Sequence, residues 1–311
     1  NPMTALRYST DGPGMALLTA VFTPFDEAGE LALDTVAKQA DALLAWGSPA
    51  AFVGGTAGEG AALSTAERMA LVERWCEVAA GRLDVIVHVG HASITEARRL
   101  AGHAEQVGAK AISAVSPYFH RPETVDALVD ACAAIAGAAP TLPFTYYHIP
   151  SITGVNLRAS DVLLAARERI PSFAGVKFAA NDMVDLQRCL HLAGEQEVYV
   201  GVAKLVLAAW QWGARAAIGS VYNFASPLFQ QMLAHAARGE LARAQECQLR
   251  AQQVIDAAAR SGGELPGFKA LGSVFGVDCG PCRPPLPSLD PEQLAALRAE
   301  VTGLGFGVGG C

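Results

Sequence analysis

Residues 85–100 read VIVHVGHASITEARRL, an apolar run followed closely by the start of a helix. The run is almost continuously apolar and rich in β-branched residues, which is typical of a parallel strand buried on both faces. Ser93 then precedes Glu96 by three residues, which is the spacing of a capping box at a helix N-terminus. The segment therefore predicts a strand followed by a helix, one βα unit.

The same alternation recurs along the chain at intervals of roughly 20–35 residues, the size of a βα unit. The predicted strands are Met15–Ala20, Ala51–Val53, Val85–Val89, Ala111–Val115, Phe144–Tyr147, Phe173–Lys177, Val198–Gly201 and Ala216–Ser220. A doubly wound open sheet is the competing arrangement, but it usually has a glycine-rich phosphate turn after its first strand. This chain has Thr19-Ala-Val-Phe-Thr-Pro-Phe25 there. A closed (β/α)8 TIM barrel of the α/β class is therefore favoured.

The sequence after the eighth predicted strand is helical. Residues 228–261 carry apolar positions with a period of 3.6, and a further helix is expected near Pro291–Val301, beyond a stretch rich in proline and glycine. We therefore expect a catalytic barrel over residues 1–224 and a C-terminal helical extension over residues 225–311.

Composition excludes several classes of function. The 311 residues carry a net charge of −7 with no basic run, so nucleic acid is not an expected partner. No apolar stretch reaches the roughly 18 residues of a membrane span, and no secretory signal pattern is visible, so we expect a cytoplasmic protein. No group of His, Cys, Asp or Glu has the spacing of a metal site. We expect neither a metal nor another cofactor.

The seven cysteines are dispersed, which indicates reduced thiols rather than a disulfide framework. One pair, Cys279-Gly-Pro-Cys282, has the spacing of a thioredoxin-like redox motif. That chemistry needs a helix to begin at the first cysteine, and Arg283-Pro-Pro-Leu-Pro287 cannot start one of useful length. A surface loop is therefore the expectation.

Lys177 is the most informative candidate for catalysis. In a barrel of this kind the active site lies at the carboxyl ends of the strands, and Lys177 ends the sixth predicted strand. No other residue between Phe173 and Ala180 is charged. Burial among apolar residues lowers the pKa of an amine, and a neutral amine can attack a ketone to form an imine. The alternative is a lysine that emerges from the strand with its ammonium group in water.

Two neighbouring strand ends offer further candidates. Tyr147 ends the fifth predicted strand, so its phenol could transfer protons beside Lys177, or it could be a structural aromatic residue. The loop Gly54–Gly58 exposes backbone N–H groups which, with the Thr56 hydroxyl, could hold a carboxylate, although such loops are often only tight turns. Glu59 fits either an anchor or a helix cap, and the sequence does not decide between them.

Six motifs, taken in this order, resemble the dihydrodipicolinate synthase / N-acetylneuraminate lyase family, and its lyase branch more closely. They are Phe22-Thr-Pro-Phe25, GGTAGEG at 54–60, SAVSPY at 113–118, YYHIPSITGV at 146–155, GVKF at 175–178 and IGSVYN at 218–223. The similarity extends from about Gly14 to about Pro287. The combination and its order are far more specific than any one motif.

The resemblance implies roles for matching residues. It implies that Lys177 forms an imine with pyruvate or a related 2-keto acid and that Tyr147 is the proton shuttle. It also implies that the Thr56 hydroxyl and the Ala57 backbone amide bind the keto-acid carboxylate. Gly201 and Ser220 are then expected to line the pocket for the substrate. Members of the family are usually homotetramers built as pairs of tight dimers, and we expect the same here.

The chain departs from the family pattern mainly at positions that, in the family, recognise the part of the substrate beyond the keto acid. Ala57 replaces a hydroxyl residue, and Ala179 stands where sialic-acid lyases have Thr or Ser. Ala203-Lys204 replaces the Asp-Glu pair that grips sugar hydroxyls in those lyases. Ile152 replaces the arginine of the synthases, and Phe119 falls where synthases borrow a tyrosine from a neighbouring subunit.

The sequence thus predicts a Schiff-base-forming, class I aldolase or lyase with a different aldehyde or substrate tail. We expect a smaller, less hydroxylated electrophile. If Lys204 meets the substrate, the electrophile should carry an anionic group. If Lys204 instead pairs with a neighbouring carboxylate, no such group is needed. One alternative is a 2-keto acid dehydratase or deaminase that uses the same imine. Another is a non-catalytic homologue that binds 2-keto acids.

Overall fold

A computed structural model describes residues 6–8 and 14–307. In this part of the chain, eight parallel strands close into one barrel in sequence order, with the last strand paired to the first. The strands are β1 Ala16–Ala20, β2 Ala50–Val53, β3 Asp84–His88, β4 Ala111–Val115, β5 Phe144–His148, β6 Phe173–Phe178, β7 Glu197–Val200 and β8 Ala216–Gly219. Each end lies within one residue of its predicted position. The predicted (β/α)8 barrel is confirmed.

Helices return the chain between successive strands. They are α1 Thr35–Ala45, α2 Thr65–Ala79, α3 Ile94–Gln106, α4 Val125–Ala136, a single turn α5 Pro150–Thr153, α6 Ala159–Arg169, α7 Met183–Leu192 and α8 Val206–Gln211. A further helix, α9 Tyr222–Ala237, follows β8. The capping box at Ser64 is complete, because Ser64 and Glu67 each accept a hydrogen bond from the other's backbone N–H. At Ser93 the hydroxyl accepts from the Glu96 N–H. Both predicted helix starts are confirmed.

The strands form the core. Every residue of β2, β4, β5 and β6 is buried, because helices cover their outer face and side chains fill the barrel. The register pairs Tyr147 with Lys177 across β5 and β6. Neighbouring strands lie about 4.8 Å apart, so the two residues face each other at the same level of the barrel.

Three helices follow the barrel: α10 Leu241–Arg260, α11 Glu264–Phe275 and α12 Pro291–Gly303. α10 and α11 pack against α9, which itself packs against β1. The boundary expected after residue 224 falls inside α9, and the division into residues 1–224 and 225–311 stays a prediction. Among the described residues, no helix combines the length and apolar character that crossing a membrane requires.

The Cys279–Cys282 segment differs from its expected surface position. Cys279 and Cys282 are buried, because the segment lies against the start of the barrel and the Phe25 N–H donates to the Cys279 carbonyl at 3.0 Å. Burial raises the pKa of Cys279 to about 12 and that of Cys282 to about 11. Both thiols are therefore protonated and poorly reactive at neutral pH. The surface assignment was wrong, and Cys311 lies outside the described residues.

Candidate active site

A cavity of about 510 Å³ opens where the carboxyl ends of the strands converge. Its lining includes every predicted site residue: Lys177, Tyr147, Thr56, Ala57, Gly201, Ser220, Lys204 and Ala179. The fold therefore brings together residues spread over more than 160 positions of sequence. The roles expected of them stay predictions.

Lys177 lies at the bottom of this cavity and is 4% exposed. Its Nζ lies 4.0 Å from the centre of the Phe52 ring and 3.8 Å from that of Tyr147. No ion pair found among residues 6–8 and 14–307 includes Lys177. Burial lowers the pKa of its amine to about 7, because removing the group from water disfavours the ammonium form. A large share of Lys177 is consequently a neutral amine near neutral pH.

Tyr147 lies directly beside Lys177 and meets the loop after β2. Its phenol oxygen is 3.2 Å from the Thr56 Oγ1, a hydrogen bond in which either hydroxyl can donate. Burial raises the pKa of Tyr147 to about 12, and the contact with Thr56 opposes that change in part. The phenol is thus protonated at rest, and the pair of hydroxyls can pass a proton between them.

The loop from Gly54 to Gly60 has a shape that requires glycine. A Cβ on Gly60 would lie 1.9 Å from the Gly54 carbonyl oxygen, which no side chain can tolerate. Hydrogen bonds close the loop on itself, from the Glu59 N–H to the Thr56 carbonyl and from the Gly60 N–H to the Gly55 carbonyl, each 3.1 Å. This tight fold presents Thr56 to the cavity, next to Tyr147.

The rest of the cavity is lined by both apolar and polar side chains. The apolar ones include Ala179, Ala203 and Ile152, and the polar ones include Ser151, Asn181 and Glu264. The Lys204 Nζ lies 2.5 Å from the Asp256 Oδ1, and both side chains are about half exposed. The ammonium group of Lys204 is therefore engaged by a protein carboxylate on α10, the second of the two arrangements expected for it.

Sequence reasoning left Glu59 undecided, and the structure gives it a clear position. Its Oε1 lies 2.8 Å from the Lys269 Nζ on α11, with both side chains 2% exposed or less. Its Oε2 accepts from the Arg283 backbone N–H at 2.7 Å. Glu59 thus anchors the C-terminal segment to the loop after β2 and has no place in the cavity lining.

Two residues beside the site were missed. Phe52 lies on β2 and touches Lys177, and the alternation of a strand could have indicated its inward direction. Asp256, which pairs with Lys204, lies 52 residues further along the chain. No local signal could have indicated it, because its position depends on how α10 packs against the barrel.

Comparisons with known proteins agree with this geometry. The profile of the dihydrodipicolinate synthetase family matches residues 14–304. The N-acetylneuraminate lyase of Rattus norvegicus is 36% identical over 295 residues, covering 93% of this chain and 92% of the relative. That of Xenopus tropicalis is 39% identical over 275 residues, covering 88% and 90%. The solved structure of the Proteus mirabilis N-acetylneuraminate lyase superposes with a TM-score of 0.90 at 34% identity, covering 94% of this chain and 99% of that one.

Proposed function

The chain belongs to the dihydrodipicolinate synthetase family, and from that membership we propose that Lys177 forms a Schiff base with pyruvate or a related 2-keto acid. The chain is a carbon–carbon lyase of the class I pyruvate aldolase type. The observation that carries the assignment of Lys177 is its buried amine, without an ion-pair partner among the described residues, on the floor of the cavity beside Tyr147.

The proposed reaction begins when the neutral Lys177 Nζ attacks the keto carbon. The keto oxygen takes up protons through Tyr147 and Thr56 and leaves as water, which produces a protonated imine. In the cleavage direction, the electron pair of the C3–C4 bond moves toward this imine as the C4 hydroxyl loses its proton and becomes an aldehyde. The resulting enamine is protonated at C3, and water then releases the keto acid and regenerates the amine.

The carboxylate of the keto acid is proposed to bind at the loop after β2. The Thr56 hydroxyl and the Ala57 amide are its proposed donors, because oriented hydroxyl and N–H dipoles favour an anion. Gly201 and Ser220 line the same cavity. At Gly201 a Cβ would lie 2.8 Å from that of Ala179, so glycine keeps the space there open.

The test is reductive trapping. Incubation with pyruvate and borohydride should add one reduced keto-acid mass per chain, on the peptide that contains Lys177. Lys177→Ala should abolish the adduct, whereas Lys204→Ala, which removes the other lysine of the cavity lining, should retain it. Labelling of a different lysine, or an undiminished adduct in Lys177→Ala, would contradict the assignment.

The second half of the substrate is proposed to be smaller and less hydroxylated than a sialic acid. A site that hydrogen-bonds substrate hydroxyls needs polar partners for them, and Ala57, Ala179 and Ala203 supply no polar side-chain atoms. Because Lys204 is bound by Asp256, an electrophile without an anionic tail fits the cavity best.

An assay of N-acetylneuraminate cleavage tests this substrate proposal. We expect a kcat/KM well below about 10⁴ M⁻¹s⁻¹, the lower end of ordinary enzymes. A value at or above it would overturn the substrate proposal and leave the role of Lys177 intact.

The two alternative functions share the same site. A dehydratase or deaminase would use the same imine but release water or ammonia in place of an aldehyde, so product analysis separates it from a lyase. A non-catalytic binding homologue would be trapped by borohydride yet turn over no substrate. The hydrogen-bonded hydroxyls of Tyr147 and Thr56 beside Lys177 support an enzyme, because C–C cleavage needs a group that takes and returns a proton.

Assembly and location are proposed in the same way. We propose a cytoplasmic homotetramer, a dimer of dimers. The Phe119 side chain, 77% exposed, supports burial against a neighbouring subunit. Sedimentation should then give four times the chain mass of 32.3 kDa.

A further inference from the structure

His88 lies behind the site and contacts both of its halves. It ends β3, it is buried, and it does not line the cavity. Its Nδ1 lies 3.0 Å from the Gly54 carbonyl oxygen, two residues before Thr56. Its ring meets the Tyr147 ring edge-on, with centroids 5.9 Å apart and planes at 89°. His88 therefore contacts both the loop that carries Thr56 and the ring of Tyr147. The hydroxyl groups of these two residues meet in the cavity.

The shorter of the His88 contacts assigns its hydrogen to Nδ1. The Gly54 carbonyl, 3.0 Å from Nδ1, requires that nitrogen to donate, and the Val115 N–H donates to Nε2 at 3.4 Å. The Arg68 guanidinium, which can only donate, lies farther from Nδ1, at 3.4 Å. Burial, and then the charges of Arg68 and Lys177, hold the pKa of His88 well below its usual range. The ring is thus neutral, in a single tautomer, and acts as a hydrogen-bond donor rather than as an acid or base.

Arg68 holds the strand end from which His88 projects. This residue of α2 is 3% exposed, and its guanidinium donates to the Gly90 carbonyl at 2.9 Å and to the His88 carbonyl. No ion pair of Arg68 is found in the described part of the chain, so backbone carbonyls satisfy its charge. At Gly90 a Cβ would lie 2.7 Å from the His88 Nε2, so glycine leaves room for the ring.

We propose that His88, supported by Arg68, is a positioning residue that sets the carboxylate-binding loop against Tyr147. The hydrogen bond to Gly54 holds the loop, and the ring contact holds the phenol. Together they keep the Thr56 hydroxyl within 3.2 Å of the Tyr147 oxygen. This inference rests on the proposed function, because it assumes that a keto-acid carboxylate binds at Thr56.

The test compares His88→Leu with His88→Asn. Leucine keeps much of the volume but has no donor, whereas the asparagine amide nitrogen occupies the same side-chain position as Nδ1 and can still donate. Losing one neutral hydrogen bond changes binding by about 0.5–1.5 kcal/mol, which is about a 2- to 12-fold change. His88→Leu should therefore raise the pyruvate concentration that gives half-maximal trapping by about that factor, and His88→Asn should restore most of it.

Gly90→Ala provides a second variant, in case His88→Leu fails to fold. Its added methyl group would lie 2.7 Å from the His88 Nε2 and 2.9 Å from the Val115 backbone nitrogen, so it displaces the ring together with the adjacent strand and should also raise the half-saturating concentration. Both variants should keep the pH profile of wild type, because Lys177 and Tyr147 are unchanged.

Three results would overturn the positioning role. They are an unchanged half-saturating concentration in His88→Leu and Gly90→Ala, an equal defect in His88→Asn and His88→Leu, and loss of one limb of the pH profile, which would make His88 a proton-transfer group. If wild type itself traps no pyruvate, the proposed function fails instead.

Discussion

Lys177 and Lys269 are both buried lysines, and their surroundings differ in one respect. The Nζ of each lies over an aromatic ring, 3.8 Å from the centre of Tyr147 for Lys177 and 4.4 Å from that of Phe25 for Lys269. Lys269 also has a carboxylate, that of Glu59 at 2.8 Å, and a backbone carbonyl at 2.6 Å. Lys177 has the rings and no such partner among the described residues.

The comparison shows how one residue type serves two purposes in one molecule. A buried ammonium group is tolerated when a carboxylate and further hydrogen bonds satisfy it, and it then joins distant segments. Without a carboxylate, burial lowers the pKa and produces a neutral amine. The presence or absence of a partner therefore separates the structural lysine from the proposed nucleophile.

The largest expected effect is a loss of turnover when Tyr147, whose ring lies against Lys177, is changed. Tyr147→Phe keeps the ring and its packing but removes the hydroxyl that bonds Thr56. Proton transfer contributes about 10²–10⁴-fold to rate, so turnover should fall by that factor with little change in stability. Tyr146→Phe is the matched control, because Tyr146 is buried on the same strand and does not line the cavity. Turnover within a few fold of wild type in Tyr147→Phe would assign the proton shuttle elsewhere.

The next effect concerns the paired lysine. Lys269→Met should lower the free energy of unfolding by about 3–5 kcal/mol, because it leaves the buried Glu59 carboxylate without its cation. Adding Glu59→Gln removes that charge and should restore part of the loss. Urea unfolding measures both variants. Equal stability of wild type and Lys269→Met would show that the ion pair contributes nothing.

Removing Lys177, the lysine without an ion-pair partner among the described residues, should raise the free energy of unfolding instead of lowering it. The pKa of Lys177 is lowered from 10.5 to about 7, so keeping its charged form buried costs wild type up to about 5 kcal/mol below pH 7. Lys177→Met should therefore be more stable than wild type at pH 6. Between pH 7 and about 10 the unfolded chain binds more protons than the folded one, so wild type gains stability and the difference shrinks. A destabilised Lys177→Met at pH 6 would contradict this account.

The smallest effect is a pH dependence of the proposed nucleophile. Only the neutral amine attacks, so below pH 7 the rate of adduct formation at limiting pyruvate should rise about tenfold per pH unit. Above about pH 7 it should reach a plateau. Rapid quenching with borohydride between pH 5 and pH 9 measures the profile. A rate that still rises tenfold per unit at pH 9 would show that Lys177 retains the pKa of an exposed lysine.

The sequence predicted the fold well because the signals of a parallel barrel are local. Apolar runs and helix caps are confined to a few residues, and they placed each strand end within one position. The same signals pointed to Lys177 and Tyr147, each of which lies one residue before the end of its strand, and the catalytic roles of both stay predictions. The pairing of Lys204 with Asp256 could not be decided, because it depends on helices that pack from far along the chain. The Cys279–Cys282 segment was misplaced for the same reason, since its burial depends on the segment around Phe25.

The ion pair of Glu59 and Lys269 also orders events during synthesis. Its partners lie 210 residues apart, so at about 5–20 residues per second the ribosome needs roughly 10–40 s to deliver the second after the first. During that interval the loop after β2 has neither Lys269 nor the Arg283 N–H to hold its carboxylate. A nascent chain that ends at residue 224 contains all eight strands but not this clasp. The loop after β2 therefore gains this anchor only after residues 269 and 283 have been made.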